Sequence, residues 1–438
     1  MSRGSVAGFD PREAGIRFAR SIAPLSIAHP GNCHTSPVPK RFLILTQHFP
    51  PEVGAAQIRL HAFAKQLQAR GHEVRVVTAM PNYPRGEVFP EYRGMRLARE
   101  EMDGLSITRT WIYPASGRSV IKRLLSYGSF ALTSLPVCMR EPRPDFIFVE
   151  SPPLFLGCTA YVCSRLRRIP FILNVSDLWP ESARVLGIVR SHTLLWFGER
   201  LERFLYRKAH RVTAQTDGIR AHIAAIVGAA KVMVLYNGVD TSDFKPRIAA
   251  SVPWVDRNEL AFLYAGTLGY AHCWDVILEA AELLRSRPDI VFLLVGDGPE
   301  KARLVEQARL RNLDNIRFVE RRPVTEMPAL FASCRATVVP LRKGDLFKGT
   351  RPSKIFPALA TESPVIFSGE GETAKLLLEN RCGIVVPPEN GPEFAEAVVR
   401  LADHPEEARA LGQRGRALVE REYGWDTLVG AWLQELPA

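Results

Sequence analysis

Short apolar runs alternate with segments of helical periodicity along most of the chain. The first run covers residues 42–46, and a second, residues 73–78, follows a predicted helix over 57–70. Continuous apolar runs are typical of parallel strands that are buried on both faces. A strand, a helix and a second strand in this order predict a β-α-β unit, which builds a parallel sheet by a right-handed crossover.

This alternation occurs in two series that are separated by a stretch without apolar order, residues 241–257. We therefore predict an α/β protein with two doubly wound, Rossmann-like domains that face each other across a cleft. The predicted strands are 42–46, 73–78, 145–149, 170–175, 211–214 and 232–236 in the first series, and 260–264, 290–295, 316–319, 336–339, 365–367 and 383–386 in the second.

The same pattern sets the expected domain limits. Residues 1–40 contain arginines, serines and prolines but no long apolar segment, which predicts a disordered extension and excludes a secretory signal there. Residues 41–245 are expected to form the N-terminal domain, and residues 258–420 the C-terminal domain. Residues 421–438 are predicted to form a helix that packs back on the N-terminal domain.

One predicted helix has two interpretations. Residues 124–139 are apolar and aromatic, but the segment is shorter than the ~20 residues that a membrane-spanning helix needs. Basic residues lie on both sides of it. An apolar face between cations favours a helix at a membrane interface, and the alternative is a buried amphipathic helix.

The charge distribution bears on that choice. Residues 1–250 contain 34 Lys and Arg against 19 Asp and Glu, although the net charge of the whole chain is only +11. A basic first half is typical of a protein that meets an anionic partner, and ordinary solubilising charge is the alternative. We expect no nucleic-acid partner, because no basic run is interleaved with aromatic residues. The seven cysteines form no C-x-x-C pair, which argues against a zinc site and indicates a reducing compartment.

Glycines follow two predicted strands of the second series. Gly266 and Gly269 come directly after strand 260–264, and Gly296, Asp297 and Gly298 come after strand 290–295. Glycines at such positions allow backbone amides to approach a phosphate closely. A simple tight turn explains each pair equally well when it is considered alone.

The richest segment is residues 348–356, which brings Arg351, Ser353 and Lys354 to a predicted helix start. Cations at a helix start suit a diphosphate. The loop after strand 365–367 adds Glu370, Gly371 and Glu372, whose amides and carboxylates suit sugar or ribose hydroxyls.

A carboxylate also follows a strand in the first half of the chain. Asp177 opens the stretch Asp-Leu-Trp-Pro-Glu after strand 170–175. A carboxylate at the carboxyl end of a strand faces the expected cleft and suits an acceptor or a sugar hydroxyl. The alternative is a helix cap beside a core tryptophan.

Five segments in a fixed order resemble the retaining glycosyltransferases of the GT-B architecture, family 4. The chain most resembles the subgroup that acts on bacterial surface polysaccharides or lipid-linked sugars. The segments are 50–55, 177–181, 237–246, 296–299 and 352–356. The Asn-Gly-Val-Asp…Phe-x-Pro and Pro-Ser-Lys-x-Phe elements, in 237–246 and 352–356, are the most specific of them.

The resemblance implies a role for each matching residue. Arg351, Ser353 and Lys354 would bind the donor diphosphate, with Gly54, Gly266 and Gly269 bordering it. Gly371 and Glu372 would contact the donor sugar. Asp177 would lie near the transferred sugar or the acceptor hydroxyl, so that Asp177, Arg351 and Lys354 are the catalytic candidates. No metal or cofactor is expected, because cations and amides would stabilise the leaving diphosphate.

The chain also departs from the family pattern. Pro357 stands where the family places a ribose-binding glutamate, and Gly349 where it places an earlier glutamate. The family's Gly-Lys/Gln-Gly stretch reads Tyr-Ala-His-Cys at residues 270–273. We take Glu370 as the substitute for ribose binding and count Asp297 among the donor-binding candidates.

The resulting expectation is transfer of a sugar, with retention, from a UDP-hexose or UDP-N-acetylhexosamine to a glycan or polyprenyl-linked acceptor. The expected process is cell-surface polysaccharide biosynthesis. The expected location is the cytoplasm, with peripheral contact to the anionic inner face of the cell membrane. A UDP-sugar epimerase of the same architecture and a non-catalytic sugar-binding homologue are the alternatives. A nicotinamide oxidoreductase is disfavoured, because no G-x-G-x-x-G follows strand 42–46.

Overall fold

The computed structural model describes residues 38–115, 119–189, 191–246 and 253–436. The expected disordered extension falls almost entirely on residues 1–37 and so lies outside the described residues. Within the described ranges, no helix combines the length and the apolar character needed to cross a bilayer.

The N-terminal domain is built around an eight-stranded sheet with the order β3-β4-β2-β1-β5-β6-β7-β8. All neighbouring strands are parallel except β3 and β4, which form an antiparallel hairpin at one edge. The strands are β1 (Arg41–Leu45), β2 (Glu73–Ala79), β3 (Leu97–Met102), β4 (Leu105–Thr110), β5 (Phe146–Ser151), β6 (Phe171–Val175), β7 (Arg211–Ala214) and β8 (Val232–Val234).

Helices cover both faces of this sheet. Two separate apolar clusters, one on each face, bury alternate residues of the same strands, as a doubly wound sheet requires. The helices are α1 (Ala55–Ala69), α2 (Val120–Arg140), α3 (Phe155–Arg167), α4 (Glu181–Val185), α5 (His192–Lys208) and α6 (Asp217–Val227).

The C-terminal domain contains a six-stranded, fully parallel sheet with the order β11-β10-β9-β12-β13-β14. Its strands are β9 (Leu260–Ala265), β10 (Ile290–Val295), β11 (Ile316–Val319), β12 (Ala336–Pro340), β13 (Val365–Ser368) and β14 (Gly383–Val386). Its helices are α7 (Asp275–Leu283), α8 (Lys301–Leu310), α9 (Met327–Ser333), α10 (Asp345–Lys348), α11 (Ile355–Ala360), α12 (Glu372–Glu379), α13 (Gly391–Asp403) and α14 (Pro405–Leu418).

The strand orders place the two switch points of the fold. The order reverses between β1 and β5 in the first sheet and between β9 and β12 in the second. Ligands of doubly wound sheets bind at the carboxyl ends of the strands beside such a point. The loops after β1, β9 and β12 are therefore the first places to search for a site.

The chain returns to the N-terminal domain at its C-terminal end. A short π-helical turn, Val419–Tyr423, leads into α15 (Trp425–Gln434). The Trp432 indole is fully buried against Phe63 and Phe148, with ring centroids 5.1 and 5.7 Å away. Its Nε1 donates a hydrogen bond to Thr213 Oγ1 on β7 at 3.1 Å. Helix α15 thus completes one apolar cluster of the first domain.

The predicted fold class is confirmed: both domains are Rossmann-like and doubly wound. The hairpin β3–β4 was not predicted, because β3 alternates exposed and half-buried positions and carries two adjacent glutamates. The helix predicted over 124–139 is longer, spanning 21 residues with Pro136 inside it.

Candidate active site

Lys354 lies directly before α11, beside the loop that follows β9. Its Nζ lies 3.2 Å from His272 Nε2 and 4.5 Å from the centre of the Tyr264 ring. Among the described residues, no carboxylate forms an ion pair with Lys354. Burial lowers the pKa of its ammonium to about 7. An enclosed cation without a counterion is a ready site for an anion.

Gly266 forms the opposite wall of this site. Its φ is +140°, a conformation that L side chains rarely adopt. A Cβ at this position would lie 3.3 Å from Lys354 Cε, so glycine also keeps space beside the cation. Gly269 lies further along the loop, where its carbonyl accepts a 3.0 Å hydrogen bond from Trp274 Nε1.

The loop after β10 supports the Gly266 loop from behind. A Cβ on Gly296 would overlap the Gly266 carbonyl, and one on Gly298 would overlap the backbone of Leu268. Asp297 is exposed, its Oδ1 accepts from the Gly298 amide at 2.8 Å, and its carbonyl accepts from Leu268. These contacts make Asp297 part of the turn that carries the Gly266 loop.

Arg351 lies at the contact between the two domains, and its diphosphate-binding role stays a prediction. Its Nη2 lies 2.8 Å from Asp217 Oδ2, and its Nε lies 2.8 Å from Glu372 Oε2. The guanidinium also lies over the Tyr236 ring, 4.4 Å from its centre. Asp217 and Tyr236 belong to the N-terminal domain, so Arg351 joins the two domains and its charge is already balanced.

The loop that contains Gly371 and Glu372 takes part in the same contact between the two domains. Glu372 accepts hydrogen bonds from the amides of Asp217 and Gly218 at the start of α6. Burial raises the pKa of Glu372, and Arg351 and these amides oppose that effect. Gly371 has a φ of +85°, and a Cβ there would overlap the backbone of Lys348. In this arrangement Glu372 binds the first domain, and its predicted contact with the donor sugar stays a prediction.

The two remaining donor candidates lie at the edges of the site. Ser353 is half-buried and directly precedes Lys354. Glu370 is exposed, and its Oε2 lies 3.8 Å from Lys348 Nζ. No described contact joins either side chain to Lys354 or to its neighbours His272 and Tyr264. The ribose-binding role of Glu370 therefore stays a prediction.

The loop after β1 reaches the second domain. Arg321, which follows β11, donates a 2.7 Å hydrogen bond to the Val53 carbonyl, next to Gly54 at the start of α1. Glu52 anchors the loop to its own domain through His48 and the amides of Asn82 and Tyr83. Burial alone would raise the pKa of Glu52, but these hydrogen bonds lower it, so the carboxylate stays ionised.

Asp177 follows β6, at the carboxyl end of the first sheet. Its Oδ2 accepts a 2.9 Å hydrogen bond from Ser182 Oγ in α4, and the residue is exposed. Desolvation by the surrounding protein raises its pKa, with the Ser182 hydroxyl opposing that effect. Trp179 and Pro180 pack against Gly198 of α5, where a Cβ would lie 3.1 Å from Pro180. The loop therefore holds the Asp177 carboxylate beside apolar side chains that pack on α5.

Sequence reasoning did not select Asp217, His272 or Arg321. Asp217 comes three residues after the end of β7, and a carboxylate shortly after a strand is the signal that singled out Asp177. The only sequence signal at His272 is that its segment departs from the family pattern. Arg321 follows β11 without any glycine, so nothing in its local sequence marks it. The described residues contain no group of three or more His, Cys, Asp or Glu side chains placed to hold a metal ion.

Comparison with known proteins assigns each half of the chain to a glycosyl transferase domain. Residues 54–238 match the glycosyl transferase 4-like domain, and residues 259–404 match the domain called glycosyl transferases group 1. A similar protein is the putative colanic acid biosynthesis glycosyl transferase WcaI of Escherichia coli K12. It is 29% identical over 373 residues, which cover 82% of this chain and 90% of that protein.

Two solved structures share the fold. Sucrose-phosphate synthase from Thermosynechococcus elongatus has a TM-score of 0.72 at 18% identity, and covers 90% of this chain and 98% of its own. Anabaena HepE, in complex with UDP and glucose, has a TM-score of 0.67 at 16% identity, with coverage of 90% and 98%. The chain is therefore built from two glycosyltransferase domains in the GT-B arrangement, a glycosyl transferase 4-like domain followed by a group 1 domain.

Proposed function

We propose that this protein transfers a hexosyl or aminohexosyl group from a nucleotide sugar, UDP-linked, to a glycan or polyprenyl-linked acceptor, with retention. The proposed process is the synthesis of a cell-surface polysaccharide. The similarity to the colanic acid glycosyl transferase supports the acceptor class, and the similarity to the UDP-containing Anabaena structure supports the nucleotide.

The observation that carries the proposal is Lys354, which lies beside Gly266 and has no carboxylate partner among the described residues. A diphosphate placed there would neutralise the ammonium. Negative charge grows on the diphosphate as the bond to the sugar breaks, and a fixed cation stabilises that charge. Lys354 supplies the stabilisation in this proposal, without a metal ion.

On the acceptor side, Asp177 is the proposed partner of the attacking hydroxyl. The hydroxyl attacks from the face that the diphosphate leaves, which retains the configuration at the sugar. Asp177 would orient that hydroxyl by accepting its hydrogen bond. No protein nucleophile is part of the proposal.

Replacing Lys354 tests the donor site. We expect Lys354→Met to abolish UDP binding and transfer, because the methionine keeps the volume but removes the charge. Lys375→Met is the matched control, since Lys375 lies on the same domain with 73% of its side chain exposed. Calorimetric titration with UDP and product formation from nucleotide sugars are the measurements. Near-normal turnover of Lys354→Met would refute the assignment.

The same experiment separates the alternatives. An epimerase would convert UDP-N-acetylhexosamine without any acceptor, and a sugar-binding homologue would bind but release no UDP. Both matched domains are glycosyl transferase domains, which favours transfer. UDP release that depends on an added acceptor would decide for transfer.

A cytoplasmic location with peripheral membrane contact is also part of the proposal. Ile121, Leu125 and Leu132 form one exposed apolar stripe along α2. Trp196 and Phe197, 49% and 60% exposed, lie at the start of α5. Val120 and Leu195, which precede Ile121 and Trp196, belong to one small apolar cluster, so both helices border that cluster.

Charge supports an anionic surface as the partner of this region. Helices α2, α3 and α5 contain nine Lys and Arg but only two Glu. Aromatic and aliphatic side chains beside cations are typical of helices that lie in a membrane interface. We call this region the aromatic–basic face; its residues are Ile121, Leu125, Leu132, Trp196, Phe197, Arg200, Arg203 and Arg207. Trp179, beside Asp177, packs against the same small cluster.

A further inference from the structure

His272 is the polar neighbour of the donor-site lysine. Its Nε2 lies 3.2 Å from Lys354 Nζ and 3.1 Å from the Tyr264 hydroxyl. The ring lies between Tyr264 and Trp274, with centroids 5.3 and 5.1 Å away. One ring nitrogen therefore faces two possible partners, and it can bond to only one of them at a time.

The Tyr264 hydroxyl is already committed as a donor. It donates to the Thr267 carbonyl at 2.6 Å, which uses its single proton. Towards His272 it can therefore only accept. Lys354 has the opposite character, because an ammonium can only donate. His272 must present a lone pair to Lys354 or an N–H to Tyr264.

A neutral imidazole can do either, depending on its tautomer. Burial, Lys354 and Arg342 hold the pKa of His272 well below its usual value, against a smaller opposite effect of the Gly269 carbonyl, so the ring is neutral. Its Nδ1 makes no hydrogen bond of good geometry to the described residues. The choice of tautomer is therefore made at Nε2.

We propose that His272 is a positioning residue for Lys354. Its Nε2 accepts a hydrogen bond from the Lys354 ammonium when the site is empty, and this hydrogen bond breaks when a diphosphate binds. On release, Nε2 gains the proton from Nδ1 through solvent exchange and donates to Tyr264. No net proton is needed for this change of tautomer. The proposal rests on the proposed function, since it assumes that Lys354 binds the diphosphate.

The electrostatic surroundings make the arrangement sensitive to pH. The groups that face the pair are Tyr264 on β9 and Arg342 after β12, and among the described residues no carboxylate pairs with Lys354. With a pKa of about 7, Lys354 is protonated below neutral pH and loses its proton above it. A bound diphosphate raises that pKa, so above pH 7 binding takes up a proton and becomes weaker as the pH increases.

Removing the imidazole should shift this dependence. In His272→Phe the ring stacking is retained but the acceptor is lost, so the charged form of Lys354 is less stable. We expect the pH midpoint for UDP binding to fall by about one unit. In His272→Gln the amide oxygen replaces Nε2 as an acceptor, and we expect the midpoint to stay near the wild-type value.

The experiment is calorimetric titration with UDP, and with inorganic pyrophosphate, between pH 6 and 9. His404→Phe is the matched control, because His404 is exposed in the same domain. An unchanged midpoint in His272→Phe, or an equal shift in His272→Gln, would overturn the role of His272. Loss of binding at every pH in Lys354→Met, with that unchanged midpoint, would refute the inference and leave the proposed function standing.

Discussion

Asp177 combines exposure with a raised pKa, and this combination sets its expected behaviour. An ordinary aspartate is ionised above about pH 4, whereas Asp177 loses its proton at a higher pH because the protein desolvates it. A carboxylate that orients a hydroxyl acts in its ionised form. The sequence identified this residue from its place after a strand, but the desolvation depends on the tertiary fold, which no local pattern shows.

Asp177→Asn is expected to lower kcat about 100-fold without changing UDP affinity. Wild-type kcat should fall as the pH decreases through the raised pKa of Asp177, and the variant should lack this acidic limb. Measurement of kcat against pH, with UDP titration in parallel, checks both statements. Asp314→Asn, at an exposed position in the other domain, is the control. An identical acidic limb in Asp177→Asn would contradict the proposed role.

Arg351 and Glu372 show the limit of prediction at the level of single residues. Their order along the chain, next to Lys354 and after a glycine, matches the donor-binding pattern. The structure pairs them with Asp217, 134 and 155 residues away along the chain. Only the tertiary fold brings the Asp217 carboxylate close to Arg351. The local sequence around Arg351 therefore cannot show that the charge of its guanidinium is neutralised.

At the level of elements, α5 is notable because its polar side carries apolar residues. Arg200, Arg203 and Arg207 fall on the same side as Trp196, and the Arg200 guanidinium lies 4.8 Å from the centre of the Trp196 ring. An exposed tryptophan beside cations is expected to enter the headgroup layer of a membrane. The sequence prediction pointed to α2 alone, since α5 has an amphipathic pattern that also suits an ordinary surface helix.

Vesicle binding tests the aromatic–basic face. The wild-type protein should pellet with anionic vesicles at low salt and be released at high salt, because screening weakens the attraction. The double change Trp196→Ser and Phe197→Ser should lower the partition coefficient about tenfold, since it removes the apolar part of the contact.

Leu310→Ser with Leu378→Ser is the matched control for that experiment. Both leucines are 58% exposed but lie in the C-terminal domain. Their replacement should leave vesicle binding unchanged. If the wild-type protein stays in the supernatant at low salt, the membrane contact is refuted.

The strands show what local pattern predicts well. The local pattern located β7, β10, β11 and β14 with their observed bounds, and each of them is a short segment within a strand–helix alternation. The β3–β4 hairpin has no apolar run in its first strand, which pairs only at the sheet edge.

At the scale of the whole molecule, several sets of contacts join the two domains. Arg351 and Glu372 bind Asp217 on one side, and Arg321 binds the loop after β1 on another. Gly218 and Gly349 approach so closely that a Cβ on Gly218 would lie 2.7 Å from the Gly349 Cα. Helix α15 adds a third connection, because it belongs to the core of the first domain.

Trp432→Ala should lower the free energy of unfolding of the N-terminal domain by about 3 to 5 kcal/mol, because it leaves a cavity among Phe63 and Phe148. It also removes the hydrogen bond to Thr213. Denaturant titration followed by circular dichroism gives the change in midpoint. Trp196→Ala, which removes a half-exposed indole, should change stability little, and equal midpoints for Trp432→Ala and wild type would contradict the expected role of α15.

The position of α15 has a consequence for the order of folding during synthesis. The first domain to leave the ribosome is the one whose core contains Trp432, and that residue emerges only after the whole second domain. Part of one face of the N-terminal sheet therefore stays uncovered until α15 has been synthesised, while residues 258–420 can already form their own core. Helix α15 therefore completes the core of the first domain only after the second domain has been synthesised.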